Sequence, residues 1–107
     1  MSTQVHEFST AVRDPDGHVY RAVAQGERRE DGTWIGWIDF EPVPAGGLVR
    51  SSPRETTQPN LRALRYWALG LEPVYLEGAL ARAISAATRS GRGNRRTAPE
   101  AEPPSGG

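Results

Sequence analysis

Residues 54–87 read RETTQPNLRALRYWALGLEPVYLEGALARAISAA, and this stretch decides how the second half of the chain folds. A polar segment at its start is followed by two stretches in which apolar side chains recur at helical spacing. Proline is favoured at the first helical position because its missing N–H would have no partner there. Pro59 and Pro73 therefore predict two helix starts, and Gly70 predicts the stop between them.

The first half of the chain has the residue types and turn sequences of β-strands. We predict strands over residues 5–12, 19–25, 33–41 and 48–51, the last of them a short edge strand. The DPDG sequence at residues 14–17 is typical of a reverse turn. Asp-Gly at residues 31–32 readily supplies the positive φ angles of a hairpin. Such short connections favour an antiparallel meander, so the predicted fold class is α+β, with four strands and two C-terminal helices packed on one face.

The third predicted strand has apolar side chains on both faces. One face carries Trp34, Gly36, Ile38 and Phe40. We assign that face to the core. Ile35 and Trp37 point to the other face, where an antiparallel sheet normally meets solvent. We therefore predict a protein interface at Ile35 and Trp37, with a homodimer of two such faces as one form of it. The alternative is that a terminal segment or the second helix covers this face.

The composition limits the classes of protein to which this chain can belong. At 107 residues and 36% hydrophobic content, the chain has room for one small core. We predict a single domain over residues 1–88 and a disordered Arg/Gly/Pro-rich tail over residues 89–107, whose composition cannot bury enough surface to offset ordering entropy. There is no cysteine, no apolar run of the roughly 20 residues that span a bilayer and no signal-peptide layout at the start. We expect a soluble cytoplasmic protein.

The polar segment before the first predicted helix is the main candidate binding site. It consists of Arg54, Glu55, Thr56, Thr57 and Gln58. These side chains precede a helix N-terminus, which attracts anions, so a phosphate or a partner's carboxylate would bind there. The alternative is a helix cap, with Thr57 or Gln58 at the capping position and Glu55 paired with Arg54 or Arg62.

No other group of residues predicts catalysis, a metal site or a cofactor. His6 and His18 lie on adjacent predicted strands, but a metal site would need further ligands. The DPDG sequence passes straight into a strand instead of continuing as a calcium loop, so we interpret it as a turn. Aromatic rings surround the predicted helix junction and would stack a ligand or fill the corner between helices and sheet. These rings are Tyr66, Trp67 and Tyr75, of which we assign Trp67 to the core.

All 13 basic residues are arginine, and 13 acidic residues balance them to a net charge of zero. The complete absence of lysine indicates GC-rich coding, and a neutral chain has no global field that would steer it onto nucleic acid. A local basic patch nevertheless runs into the tail, formed by Arg82, Arg89, Arg92, Arg95 and Arg96. Arginine–glycine segments of this kind bind nucleic acid non-specifically. The interpretation we favour is a solvated tail, because Glu100 and Glu102 follow.

The sequence also resembles known families. ETTQPN at residues 55–60, YWALGLEPVYLEGAL at residues 66–80 and GTWIGW at residues 32–37 are similar to a family of short uncharacterised bacterial proteins, a resemblance that implies no known activity. The order of elements resembles the HicB-type antitoxin fold. The matching positions are Tyr20, Gly32, Trp34, Thr56 and Ala63. The chain lacks the Pro-Gly-Cys sequence common before that family's third strand, and no recognisable DNA-binding module follows.

These observations predict a non-catalytic small binding or adaptor module that acts through protein contacts. The alternative, which the second resemblance implies, is a HicB-like antitoxin or a nucleic-acid-associated regulatory protein.

Overall fold

Five strands and two helices follow one another in the structure of the chain, a computed structural model that describes the backbone of residues 1–93 and the side chains of residues 1–87. The elements are β1 (Thr3–Arg13), β2 (Val19–Arg28), β3 (Trp34–Pro42), β4 (Arg50–Ser51), β5 (Thr56–Gln58), α1 (Leu61–Leu69) and α2 (Pro73–Gly93). The tail predicted over residues 89–107 lies outside these described residues, apart from the last backbone turn of α2. Among the described residues, neither helix is long and apolar enough to cross a membrane.

The predicted antiparallel meander is confirmed, with strand order β1-β2-β3-β4. The structure adds a fifth strand, β5, that was not predicted. It pairs with residues 34–36 of β3, along the same edge of β3 that β4 uses. Between β4 and β5, Ser52 N–H donates to the Ile38 carbonyl at 2.9 Å and Glu55 N–H donates to the Gly36 carbonyl at 2.8 Å. The segment predicted as a loop is therefore the continuation of an interrupted edge strand.

The start of α1 corrects the predicted helix boundary. Asn60 has extended backbone angles and its Oδ1 accepts the Ala63 N–H at 2.8 Å, so Asn60 is the cap. The prediction of Pro59 at the first helical position and of Thr57 or Gln58 as cap is wrong, because the β-pairing of residues 56–58 with β3 holds that segment extended. The predicted boundaries at Gly70 and Pro73 are confirmed.

A pair of glycines positions α1 on the sheet. Gly26 and Gly36 are directly opposite each other in the β2–β3 ladder, and the fully buried Leu64 side chain rests over both. A Cβ at Gly36 would lie 2.6 Å from Leu64 Cδ1, and one at Gly26 would lie closer still to Leu64 Cδ2. Side chains at these two positions would lift the helix off the sheet, so the glycines allow the close approach of α1.

Both helices pack on one face of the sheet, as predicted. The buried side chains of the helices are Leu64, Ala68, Leu76, Ala79, Leu80 and Ala83. Leu64 rests over the two glycines, and the other five form one core cluster with the sheet residues Phe8, Val12, Tyr20, Ala22, Ala24, Ile38 and Phe40. Trp34, which we assigned to this core, is only half-buried. It begins β3 at the end of the sheet, opposite Arg28 and Gln58, where the helices give it less cover.

Candidate functional site

The polar segment predicted as an anion site does not gather its side chains at one point. Arg54 and Thr57 are exposed, and Glu55 is turned toward α2. Thr56 pairs with Gly36 on the helix-covered face, and Thr57 pairs with Ile35 on the opposite face. The Gln58 amide donates to the Thr56 hydroxyl at 2.7 Å. Because β5 alternates its side chains between two faces, these residues do not form a common pocket before α1.

Glu55 is the member of this segment with the densest contacts. Its side chain is 5% exposed. Arg82 donates to both carboxylate oxygens, from Nε at 3.1 Å and from Nη2 at 2.7 Å, and the Tyr75 hydroxyl donates to Oε1. The Arg82 guanidinium also lies over the Tyr75 ring, 5.4 Å from its centroid. Glu55 therefore ties the edge strand to α2, and the predicted pairing with Arg54 or Arg62 is wrong.

Glu55, Tyr75 and Arg82 determine one another's protonation states. Burial raises the pKa of Glu55, but the hydrogen bonds and charge of Arg82, with the hydrogen bond from Tyr75, outweigh it and leave that pKa below its ordinary value of 4.5. Burial and the hydrogen bond to Glu55 raise the pKa of Tyr75 to about 12. At neutral pH the cluster is thus a carboxylate, a phenol and a guanidinium, and each bonds to another member.

The sequence singled out Glu55 but not its partners. Arg82, which we assigned to the basic patch, instead pairs with Glu55, and so does Tyr75, which we assigned to the aromatic rings of the helix junction. Tyr75 and Arg82 are seven residues apart, which places both on one face of α2. That spacing was a usable sign that the two side chains act together. Trp67 packs edge-on against Tyr75, with ring centroids 6.3 Å apart, and it borders the core as expected.

The second predicted site is the sheet face opposite the helices, which we call the open face. Ile35 and Trp37 both lie on it and are half-buried. The Trp37 indole N–H donates to Asp39 Oδ1 at 3.0 Å, so the ring lies along the sheet instead of standing away from it. Val23, which pairs with Asp39, is only 2% exposed although α1 and the described side chains of α2 pack on the other face. The alternative that α2 covers Ile35 and Trp37 is wrong, since α2 packs on the other face. The C-terminal segment, which was the other candidate to cover this face, lies outside the described residues.

Charges surround the apolar centre of the open face. Arg21 bridges Glu7 at 3.0 Å and Glu41 at 2.9 Å, joining β1, β2 and β3. The hydrogen bond from Arg21 to Glu41 raises the pKa of the guanidinium. Across β2 and β3, the positions on this face hold three carboxylates and one guanidinium. These residues are Glu27, Asp39, Glu41 and Arg21. The face is therefore an apolar patch with an acidic surround.

The β1–β2 turn brings together the only group of side chains in residues 1–87 with metal-ligand spacing. Ligand atoms of Asp14, Asp16 and His18 lie within 4.8 Å of one another. Asp14 Oδ1 accepts the backbone N–H groups of Asp16 and His18, both at 2.9 Å, and Gly17 has a φ of +88°. These are the bonds of a tight turn, as predicted. His6 instead stacks edge-on against Phe8 at 4.7 Å.

Comparison of the chain with models of known protein families, with curated proteins and with solved structures finds no match.

Proposed function

We propose that the protein is a non-catalytic binding or adaptor module that acts through protein contacts, with the open face as its contact surface. The observation that carries this proposal is the position of Ile35 and Trp37 on the sheet face that neither helix covers within the described part of the chain. Apolar groups on the solvent side of a sheet are typical of an interface. The half-buried indole is already fixed by Asp39, so little side-chain entropy is lost when a partner covers it.

The charges of the open face favour a basic partner surface. Three carboxylates against one guanidinium on β2 and β3 leave this face with an acidic excess, although the N-terminal amine pairs with Glu27 at 3.4 Å. A second copy would place the same carboxylates opposite one another. The homodimer predicted through Ile35 and Trp37 therefore remains a proposal with less support than a partner that presents arginine or lysine.

The cluster of Glu55, Tyr75 and Arg82 supports a structural role over catalysis or anion binding. Both carboxylate oxygens of Glu55 and the Arg82 guanidinium are already engaged inside the domain. An anion would compete with a 5% exposed carboxylate for Arg82. The proposal therefore includes no catalytic residue, and it places the protein in the cytoplasm because a chain without cysteine suits a reducing compartment.

The alternative function is a HicB-like antitoxin or a nucleic-acid-associated regulator. Its support is the tail part of the basic patch in the sequence, formed by Arg89, Arg92, Arg95 and Arg96. Those side chains lie outside the described residues. Phosphate contacts would make binding strongly dependent on salt, whereas contacts through an apolar sheet face would depend on it much less.

Affinity purification with a matched variant separates these functions. Wild-type protein and the variants Trp37→Ala and Leu48→Ala would each be used to capture partners from a lysate of the native host, with and without nuclease. Leu48 is an exposed apolar residue of the β3–β4 connection, outside the strands that form the open face, so it serves as the control. We expect a protein that is retained by wild type and Leu48→Ala and lost by Trp37→Ala. Equal retention by all three, or capture that nuclease abolishes, would contradict the proposal.

A further inference from the structure

The solvent side of α1 has apolar side chains where a surface helix normally has polar ones. Tyr66 is 81% exposed and Leu69 is 65% exposed. With Arg62 they recur at helical spacing, four and three residues apart, on the side of α1 opposite the buried Leu64 and Ala68. We call Arg62, Tyr66 and Leu69 the α1 stripe. It faces away from the sheet, so it is distinct from the open face.

The charges at the two ends of the α1 stripe have opposite sign. Arg62 begins the stripe and Arg65 lies beside it, one residue before Tyr66, while α1 itself contains no carboxylate. Glu72 follows the C-terminal end, just before α2. All three side chains are without an ion pair within residues 1–87. A surface with positive, apolar and negative parts in that order is complementary to itself after a two-fold rotation.

From this arrangement we infer that two copies of the chain associate through antiparallel packing of their α1 stripes. The rotation axis passes between Tyr66 and Leu69, so each tyrosine meets the leucine of the other copy. Arg62 and Arg65 lie on the N-terminal side of that axis. Glu72 lies beyond the C-terminal end of α1, directly before the first residue of α2. The rotation therefore brings the arginine end of each copy toward the Glu72 end of the other.

The size of the stripe sets the strength of the association. α1 has nine residues and is about 13 Å long, so each copy buries less than the roughly 800 Å² of a standard interface. A shallow hollow of about 520 Å³ beside Ala63, bordered by Arg62 and Tyr66, gives room for a side chain of the other copy. We expect a reversible dimer with a Kd of roughly micromolar or weaker. It leaves both open faces free for other partners, and the inference does not depend on the proposed function.

Charge reversal tests the symmetry directly. The variant Arg62→Glu/Arg65→Glu makes both ends of the stripe negative, and Glu72→Arg makes both ends positive. Each variant alone should dimerise about tenfold more weakly than wild type or not at all, because like charges then meet at both ends. An equimolar mixture of the two should form a heterodimer, since opposite charges meet again. Sedimentation velocity over roughly a hundredfold range of concentration measures all three samples.

Two further variants make the outcome decisive. Leu69→Glu should give a monomer, and Leu48→Glu, at a residue 77% exposed outside the stripe, should dimerise like wild type. Circular dichroism confirms that each variant is folded, which is expected because every altered side chain is exposed. A wild-type protein that stays monomeric at all concentrations overturns the inference. So does a dimer that survives Leu69→Glu, or a mixture of charge variants that remains monomeric.

Discussion

Replacing Glu55 by glutamine tests whether the Glu55 cluster stabilises the fold. The carboxylate is 5% exposed and accepts from Arg82 and Tyr75, while the Arg82 side chain is 47% exposed. A hydrogen bond to a buried charged group contributes about 1.5–3 kcal/mol. Glutamine keeps one acceptor oxygen, and Arg82 regains contact with water. We therefore expect the variant to lose about 1–3 kcal/mol of unfolding free energy at pH 7, which lowers Tm by about 5–15 °C for a domain of this size.

The pH dependence gives the same prediction a second measurement. The pKa of Glu55 lies below its ordinary value of 4.5 in the folded chain. Its stabilisation is therefore fully present above the unfolded-state pKa and is lost as the pH falls through the folded-state pKa. Thermal melts of wild type and Glu55→Gln should differ most near pH 7 and converge in acid.

The control is Glu30→Gln, the same chemical change at an exposed residue of the β2–β3 turn. Its Tm should match that of wild type at every pH. The reasoning would be refuted if Glu55→Gln had the same Tm as wild type at pH 7, or if the difference in Tm between the two proteins stayed constant down to pH 3. The first result would mean that the bonds of Glu55 contribute no net stability. The second would mean that the loss comes from packing and not from charge.

Four other predictions follow from single contacts. Gly36→Ala should destabilise the domain by about 1–3 kcal/mol, since its Cβ would meet Leu64, and Leu64→Ala in the same chain should make the two losses less than additive in denaturant melts. The pKa of Tyr75 is raised to about 12, so the stabilisation that its hydroxyl gives the fold is present below pH 10 and is lost as the pH rises through 12. Tyr75→Phe should therefore remove this contribution to the fall of Tm in alkali. Asn60→Ala should lower the free energy of unfolding by about 1 kcal/mol in denaturant melts, because α1 loses its cap. Asn60→Asp should keep the wild-type stability, because aspartate also caps a helix. Trp37→Ala should remain folded, with a lower Tm because its bond to Asp39 is lost, and its oligomeric state should be that of wild type in light scattering. If this variant alone became monomeric, the open face and not the α1 stripe would be the dimer surface.

Local physical chemistry explains why much of the fold followed from the sequence. The turn sequences at residues 14–17 and 31–32 fix positive φ angles at Gly17 and Gly32, so neighbouring strands had to pair antiparallel. Alternation in β3 correctly assigned Ile38 and Phe40 to the core. The helix boundaries at Gly70 and Pro73 were equally local, because a stop and a start depend on one residue and its immediate neighbours.

The candidate sites depended on contacts between residues distant in sequence, and these the sequence alone did not determine. Residues 56–58 look like a loop before a helix, but the free edge of β3 offers N–H and C=O groups that pair with them, and the helix start moves to Asn60. The partners of Glu55 come from α2, 20 and 27 residues later, because the packing of that helix places Tyr75 and Arg82 over the edge strand. The sequence by itself therefore determined the four strands of the meander, the existence of two helices and which faces are apolar, but not β5 or the start of α1. Only the tertiary structure decided which charges meet, which apolar groups stay uncovered and where α1 can lie, because those outcomes depend on how separate elements pack against one another.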